Sequence, residues 1–371
     1  MAPAPAPMAG RTHTAAERRQ RRRDGMGTAN ATGWEASVIC PKPRVLIVGC
    51  GGAGGNSVGR LHRLGVAGAR TAIVNTDRVH LETVEADRKL LIGQTVTRGM
   101  GAGGRPEIGE RCADLADDEL RNLVMSQDLV FLTVGLGGGT GTGVAPHIAE
   151  LASASGAVVI AVATTPFKVE RGRLRTAQAG IQRLRPNCDS LIILDNNRLL
   201  DLVPNLPVER AFSVMDVLIA EVIKGVTEAI NLPSLINLDF NDVRTVLSEG
   251  GTSTILYGEN SIDDPDKVVS ETLSNPLLDV DTRGARAALI HISSGPSLSL
   301  RTAFRVVDGI TANMRSDANV IFGVRVDPRH HDIIRVIAIL TGLKAPEFEA
   351  PVEANPSIEA ANAIAPFPRY R

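Results

Sequence analysis

Nine residues constrain this chain more than any others: Gly135-Leu-Gly-Gly-Gly-Thr-Gly-Thr-Gly143. They follow Asp128-Leu-Val-Phe-Leu-Thr-Val134, an apolar run of strand length. They precede Val144-Ala-Pro-His-Ile-Ala-Glu-Leu-Ala152, which reads as a helix with Pro146 in its first turn. A strand that ends in glycines and opens a helix presents bare backbone N–H groups at a helix N-terminus. The donors there are unpaired and the dipole is positive, so the place suits phosphate. Thr140 and Thr142 add hydroxyl donors. The alternative, a glycine-rich connector, gives the Gly/Thr alternation no purpose.

Strand patterns at 44–48, 71–75, 128–134, 157–163 and 190–194 alternate with helical ones. That alternation predicts an α/β domain over 43–207, a parallel sheet covered on both faces. A long helical pattern spans 208–231, with Pro207 at its start and Pro233 beyond its end. Phe212, Met215, Leu218, Ile219, Val222 and Val226 recur along it at helical spacing. Such a helix is roughly 35 Å long, enough to join one domain to another. Strand patterns at 253–257, 287–292, 319–324 and 334–340, with helices at 264–274 and 299–315, predict a smaller α+β domain over 232–343. Residues 1–42 and 344–371 read as loose tails with little to bury. The first holds five arginines between Glu17 and Asp24, either a solvated charge run or a tether to an acidic partner, nucleic acid or lipid.

A net charge of −1 gives no global argument for nucleic acid or an anionic membrane as partner. No apolar run approaches the length of a membrane span, and the N-terminus has no apolar segment of a secretory signal. Cys40, Cys50, Cys112 and Cys188 are scattered without a C-x-x-C pair, which argues against a disulfide framework or zinc and for a reducing cytoplasm. Aromatics are 3%, too few for a stacking platform on single-stranded nucleic acid.

Gly49-Cys-Gly-Gly-Ala-Gly54 fits G-x-G-x-x-G after a strand, and Asp77 follows a second strand where a ribose-binding acid would sit. Alone, this says dinucleotide oxidoreductase. Gly55-Asn56 makes the loop denser in glycine than that motif needs, however, and a third glycine loop follows at Gly99-Met-Gly-Ala-Gly-Gly104. Three such loops at strand ends suggest a cradle for several phosphates of one nucleotide. No G-x-x-x-x-G-K-[ST] occurs, so no P-loop lysine is offered.

Gly51-Gly-Ala-Gly-Gly-Asn56, Val74-Asn-Thr-Asp77, Gly101-Ala-Gly-Gly104, Gly137-Gly-Gly-Thr-Gly-Thr-Gly143, Pro166-Phe-Lys-Val-Glu170 and Asn237-Leu-Asp-Phe-Asn-Asp242 occur in that order. Over about residues 43–343 the chain resembles the tubulin/FtsZ GTPases of cell division. Residues 195–207 and 211–216 look like the second archaeal FtsZ type. The resemblance implies a tubulin-like two-domain fold, with a GTP-binding domain, a central helix and a C-terminal activating and polymerisation domain. It implies that Gly51, Gly52, Ala53, Gly54, Gly55 and Asn56 hold the α- and β-phosphates, near Asp77. Ala102, Gly103 and Gly104 would sense the γ-phosphate. Gly138, Gly139, Thr140, Gly141, Thr142 and Gly143 would wrap the phosphates from the other side. Glu170 would bind ribose, Arg173 or Arg175 would reach phosphate, and Asn196, Phe212 and Asp216 would hold guanine. A carboxylate suits that base because it accepts from N1–H and the amino group together. Without the resemblance, Phe212 and Asp216 read as a core aromatic and a solvated helix residue.

Asp239 and Asp242 would enter the nucleotide site of the next subunit and orient the attacking water. From spacing alone, they read as a helix N-terminal cap. Mg²⁺ is expected on the phosphates, with no protein ligand assigned. Expected partners are the chain itself, head to tail, other division-ring proteins, and the membrane only through an adaptor, at the mid-cell division site. No nucleic acid is expected on the folded domains.

The sequence departs from the family in four places. After Asp77, Arg78-Val-His-Leu81 stands where Ala-Gln-Ala-Leu is common, so a glutamine is missing. Arg105 stands where bacterial members have Asn, and 170–175 is one residue shorter. The C-terminal Ala365-Pro-Phe-Pro-Arg-Tyr-Arg371 lacks the bacterial adaptor-binding peptide. The departures near the phosphates motivate a second reading, a nucleotide-regulated filament scaffold with little hydrolysis. The nicotinamide oxidoreductase is a third.

Overall fold

The structure is a computed structural model that describes residues 42–343, apart from 233, 237, 249–251, 275–281 and 329. The two tails, the arginine run and Cys40 lie outside the described residues.

The chain enters a sheet at once. Strand β1 (Val45–Cys50) leads straight into helix α1 (Gly51–Leu64), and β2 (Ala69–Asn75) returns beside it. Short pieces follow: α2 (Arg78–Thr83), β3 (Arg88–Leu91) and α3 (Gln94–Thr97), then α4 (Pro106–Leu115) and α5 (Asp117–Val124). Alternation resumes with β4 (Leu129–Gly135), α6 (Gly139–Ala154), β5 (Val158–Thr165), α7 (Arg171–Leu184) and β6 (Ser190–Asp195). These six strands are parallel in the order β3-β2-β1-β4-β5-β6. Both faces of the sheet are buried, so alternate residues of one strand serve different cores. Val45 and Ile47 pack with α1, while Leu46 and Val48 pack with α4, α5, α6 and α7. Order reverses between β1 and β4. In such sheets, a crevice opens at the carboxyl ends of the strands at that switch point. Both Cys50-Gly51 and Gly135–Gly139 end there.

The helix after β4 begins earlier than the sequence suggested. Gly139 to Gly143 are its first residues, so Pro146 lies inside α6 rather than in its first turn. Close packing is the reason. A Cβ on Gly139 would lie 2.7 Å from Arg105 N, and one on Gly143 would collide with the Pro106 carbonyl. Glycine lets α6 press its first turns against α4. Strand β3 and helices α3 to α5 were not assigned from the sequence, although Pro106 opens α4 and three acids open α5. β3 has four residues and only Leu90 inside, too few to show alternation.

After α8 (Arg198–Leu202), helix α9 (Val208–Asn231) crosses the molecule. Its buried residues Met215, Ile219, Val222, Ile223 and Val226 belong to one core with Ile47, Phe131 and, from the second half, Val246, Ile255 and Ile337. Gly225 brings it against the Ile337 side chain. Then come α10 (Phe240–Ser248), β7 (Thr252–Ser261), α11 (Pro265–Leu273), β8 (Ala287–Ser294), α12 (Leu300–Thr311), β9 (Asn319–Val326) and β10 (Ile333–Leu343). β10 runs antiparallel to β7 and β8, and β8 is parallel to β9. A single residue pair, Leu191 with Thr252, joins this smaller sheet to β6. Its other face has a core of its own under α11 and α12.

Phe131 is among the largest fully buried side chains and sits beneath α1 in the central strand β4. Phe131→Ala should destabilise the first domain by ~3–5 kcal/mol, read as an earlier midpoint in urea unfolding. An unchanged midpoint would refute this account of the core.

Candidate functional site

Two helix N-termini meet at the switch point. Gly51 opens α1 with φ +69°, and a Cβ there would lie 2.9 Å from Gly141 N at the start of α6. Neither helix has a side-chain cap at that end, since Cys50 and Gly138 hold the cap positions. The first N–H groups of both helices are therefore left for an anion, and both dipoles favour one.

The glycines divide by what surrounds them. Gly139, Gly141 and Gly143 are buried, and Gly54 lies against the Thr133 carbonyl, so these serve close backbone approach. Gly138, Gly103 and Gly104 face open space, the last two with φ +58° and +75°. Gly52 is half-buried, Ala53 is exposed and Ala102 is buried. The third loop is tied down by Gly101 N donating to Thr76 O at 3.1 Å and Arg78 N to Gly99 O at 2.9 Å. Thr140 and Thr76 share a hydroxyl hydrogen bond of 2.6 Å. Thr142 is buried and accepts from Gly137 N at 2.9 Å, so it shapes the turn from within. Asp77 caps α2 by accepting from His80 N at 3.1 Å. That use competes with the ribose role an oxidoreductase would give it.

Beyond the glycines, a cleft of about 570 Å³ runs along α1 to the start of α9, lined by Ala53, Asn56, Ser57, Arg60, Asn196, Phe212 and Asp216 among others. Phe212 is 40% exposed and meets Phe167 edge-on at 5.7 Å. Glu170 accepts from Phe167 N at 3.1 Å and pairs with Arg173 at 2.5 Å. Both candidate arginines are exposed; of the two, Arg173 has its backbone and Cβ beside Gly137. Asp216 accepts from the Ser57 hydroxyl at 2.5 Å. Burial raises the pKa of Asp216 above the ordinary carboxylate value, against the opposing pull of Ser57 and Arg60.

Ser57 and Arg60 escaped the sequence reading. Their signal was helical period: Ala53, Asn56, Ser57 and Arg60 stand at i, i+3, i+4 and i+7 on one face of α1. Arg60 Nε is buried without a partner among the described residues, and its side chain lines the cleft.

Asp239 and Asp242 are not part of this cleft. They cap α10 reciprocally: Asp239 Oδ1 accepts from Asn241 N at 2.5 Å, and Asp242 Oδ2 from Asp239 N at 3.4 Å. Helix α9 separates the two places. Its first turns carry Phe212 and Asp216 at the cleft, while Asn231 at its far end donates to Gly68 O just before β2. The two acids follow that far end.

Keeping Asp216 charged in its buried position costs stability. Above its raised pKa both folded and unfolded chains are ionised, and only the folded one bears the burial penalty. Below the ordinary value of 3.8 both are protonated and the difference vanishes. Asp216→Asn should therefore raise the melting temperature of the nucleotide-free protein at neutral pH, with the gain fading as pH approaches that value. A lower melting temperature at neutral pH would contradict the assignment.

Comparison with known proteins agrees over both halves. The Tubulin/FtsZ family, GTPase domain, matches residues 44–204, and the FtsZ family, C-terminal domain, matches residues 251–344. Cell division protein FtsZ 2 of Methanocaldococcus jannaschii is 54% identical over 307 residues, 82% of this chain and 81% of that one. Cell division protein FtsZ 2 of Haloferax volcanii is 48% identical, covering 83% and 78%. An empty FtsZ dimer from M. jannaschii superposes with a TM-score of 0.78 at 39% identity, covering 84% of this chain and 94% of that one. With both halves matched and relatives this similar, the chain belongs to the tubulin/FtsZ family of GTPases.

Proposed function

We propose that this chain binds GTP and hydrolyses it inside head-to-tail filaments of the cell-division ring, each active site being completed by the next copy. The observation that carries this is the distance built in by α9. The cleft meets that helix at Phe212 and Asp216, and the carboxylates follow its other end, so about 22 Å of helix by its rise separates Asp216 from Asn231 alone. A chain cannot fold its own acids onto its own nucleotide, but stacked copies bring one end against the other.

Within the cradle, first-turn N–H groups of α1 and α6 take the α- and β-phosphates, and Gly103 and Gly104 close over the γ-phosphate. Glu170 takes ribose and Arg173 reaches phosphate. At the base, Asp216 accepts from guanine N1–H and its amino group, a pair that adenine does not offer. Asn196 and Phe212 flank the ring. Among the described residues, no three acidic, histidine or cysteine side chains cluster for a metal. Mg²⁺ would be held chiefly by phosphate oxygens and water, where it would supply charge neutralisation. Asp239 and Asp242 of the following copy orient the water. Their mutual capping fixes both carboxylates before the copies meet. Loss of the γ-phosphate then removes what the third loop holds, and the filament weakens.

A filament scaffold with slow turnover is the second reading, favoured by Val79, which is 73% exposed where the family commonly has glutamine. No helix among the described residues is long and apolar enough to cross a membrane. Attachment at the division site would run through an adaptor. Other ring proteins would join there.

GTP hydrolysis plotted against protein concentration should show a threshold and then a linear rise. A line through the origin would mean that single subunits hydrolyse. Filaments with negligible phosphate release would favour the scaffold. Asp239→Ala should keep GTP affinity and lose at least about 10²-fold in turnover, measured by phosphate release. Turnover near wild type would remove Asp239 from the mechanism.

A further inference from the structure

His80 occupies a position where the family commonly has alanine, and its ring is fully engaged. It lies across the first turns of α1. A Cβ on Gly55 would come within 3.3 Å of its Cε1, and one on Gly52 within 3.7 Å of its Nε2. On one side, His80 Nδ1 lies 3.3 Å from Asn75 Nδ2. On the other, His80 Nε2 lies 3.0 Å from Asn56 Oδ1. Its own backbone is held by the Asp77 cap.

The protons in this chain of contacts follow from the backbone. Asn75 Oδ1 already accepts from Thr76 N at 2.8 Å and from Asp77 N at 3.2 Å. The Asn75 amide is thereby fixed, with Nδ2 turned to His80 as a donor. Nδ1 of His80 must accept, so the neutral ring carries its proton on Nε2. That proton goes to Asn56 Oδ1. The Asn56 carboxamide is fixed in turn, with its oxygen spent on His80 and its NH2 left over. Asn56 lines the nucleotide cleft, and His80 does not.

We propose that His80 is a positioning residue for the nucleotide. It reads the orientation of the β2 backbone and passes it to Asn56, whose NH2 is thereby presented to an acceptor oxygen of the bound guanine nucleotide. Without His80, the exposed Asn56 amide turns freely, and half of its orientations offer the nucleotide a carbonyl oxygen, which repels ribose or phosphate oxygen. A side chain at Gly55 would crowd both the imidazole and Ile73. The proposal rests on the GTP-binding reading above.

The test is a double-mutant cycle on nucleotide affinity, with GTP and GDP titrated against wild type, His80→Leu, Asn56→Ala and the double variant. His80→Leu should weaken binding by roughly 2- to 10-fold, the range of one neutral hydrogen bond. In the Asn56→Ala background, the same change should have no further effect. His80→Gln should restore binding, because a carboxamide offers one acceptor to Asn75 and one donor to Asn56, as the neutral imidazole does. A role in packing alone predicts equal losses in both backgrounds and no rescue by Gln, and that result overturns the proposal. So does wild-type affinity in His80→Leu. Failure of the wild type to bind GTP would instead overturn the nucleotide reading itself, and this proposal with it.

Discussion

Everything at this site depends on how closely two backbones approach at the switch point. A phosphate cradle without a lysine must concentrate backbone N–H groups, and one helix end supplies too few. Here α1 and α6 start from adjacent strands, and glycine removes the side chains that would hold them apart. Gly54 lies against the Thr133 carbonyl, Gly141 against Gly135 O, and Gly143 against the Pro106 carbonyl. Most of the glycine in the signature runs is thus structural in its first effect. It brings the N-termini together, and the anion site follows from their being together.

The second constraint is the length of α9. One face of it is buried against the cores of the parallel sheet and of β10, so a single helix joins the two halves. It carries Asp216 near one end. Further along it carries Glu221 and Glu228, which pair with Arg335 and Arg325 of the smaller sheet. Arg325 and Glu228 are each less than a fifth exposed, so their pairing is poorly screened and costly to break. The cleft carboxylate Asp216 and the second domain are therefore tied to the same helix.

The legible parts of the sequence were those with strong local period. The apolar strands, the helix over Val208–Asn231 and the glycine runs at strand ends all show in the chain because each is repeated over many residues or punctuated by Gly and Pro. What was hidden has a common cause. The start of α6 was misread because Gly-Thr repeats look like a loop, whereas packing against α4 makes them helical. Ser57 and Arg60 were hidden because they carry no motif and matter only through the face they share with Asn56. Asp239 and Asp242 were legible as a cap, and the cap is what the single chain contains. The second role proposed for them needs a neighbour, which no single sequence displays.

That last point bears on how the acids are built. A carboxylate held ready for another subunit is exposed until assembly, with nothing from the partner to orient it. In Asp239 and Asp242 the helix end does the orienting, since each accepts a backbone N–H of the other's turn. The entropy of fixing two side chains is lost when α10 folds rather than when subunits meet. On the proposed reading, capping and catalysis would be successive uses of one arrangement. On that reading, the cap and the catalytic pair would be the same residues before and after assembly.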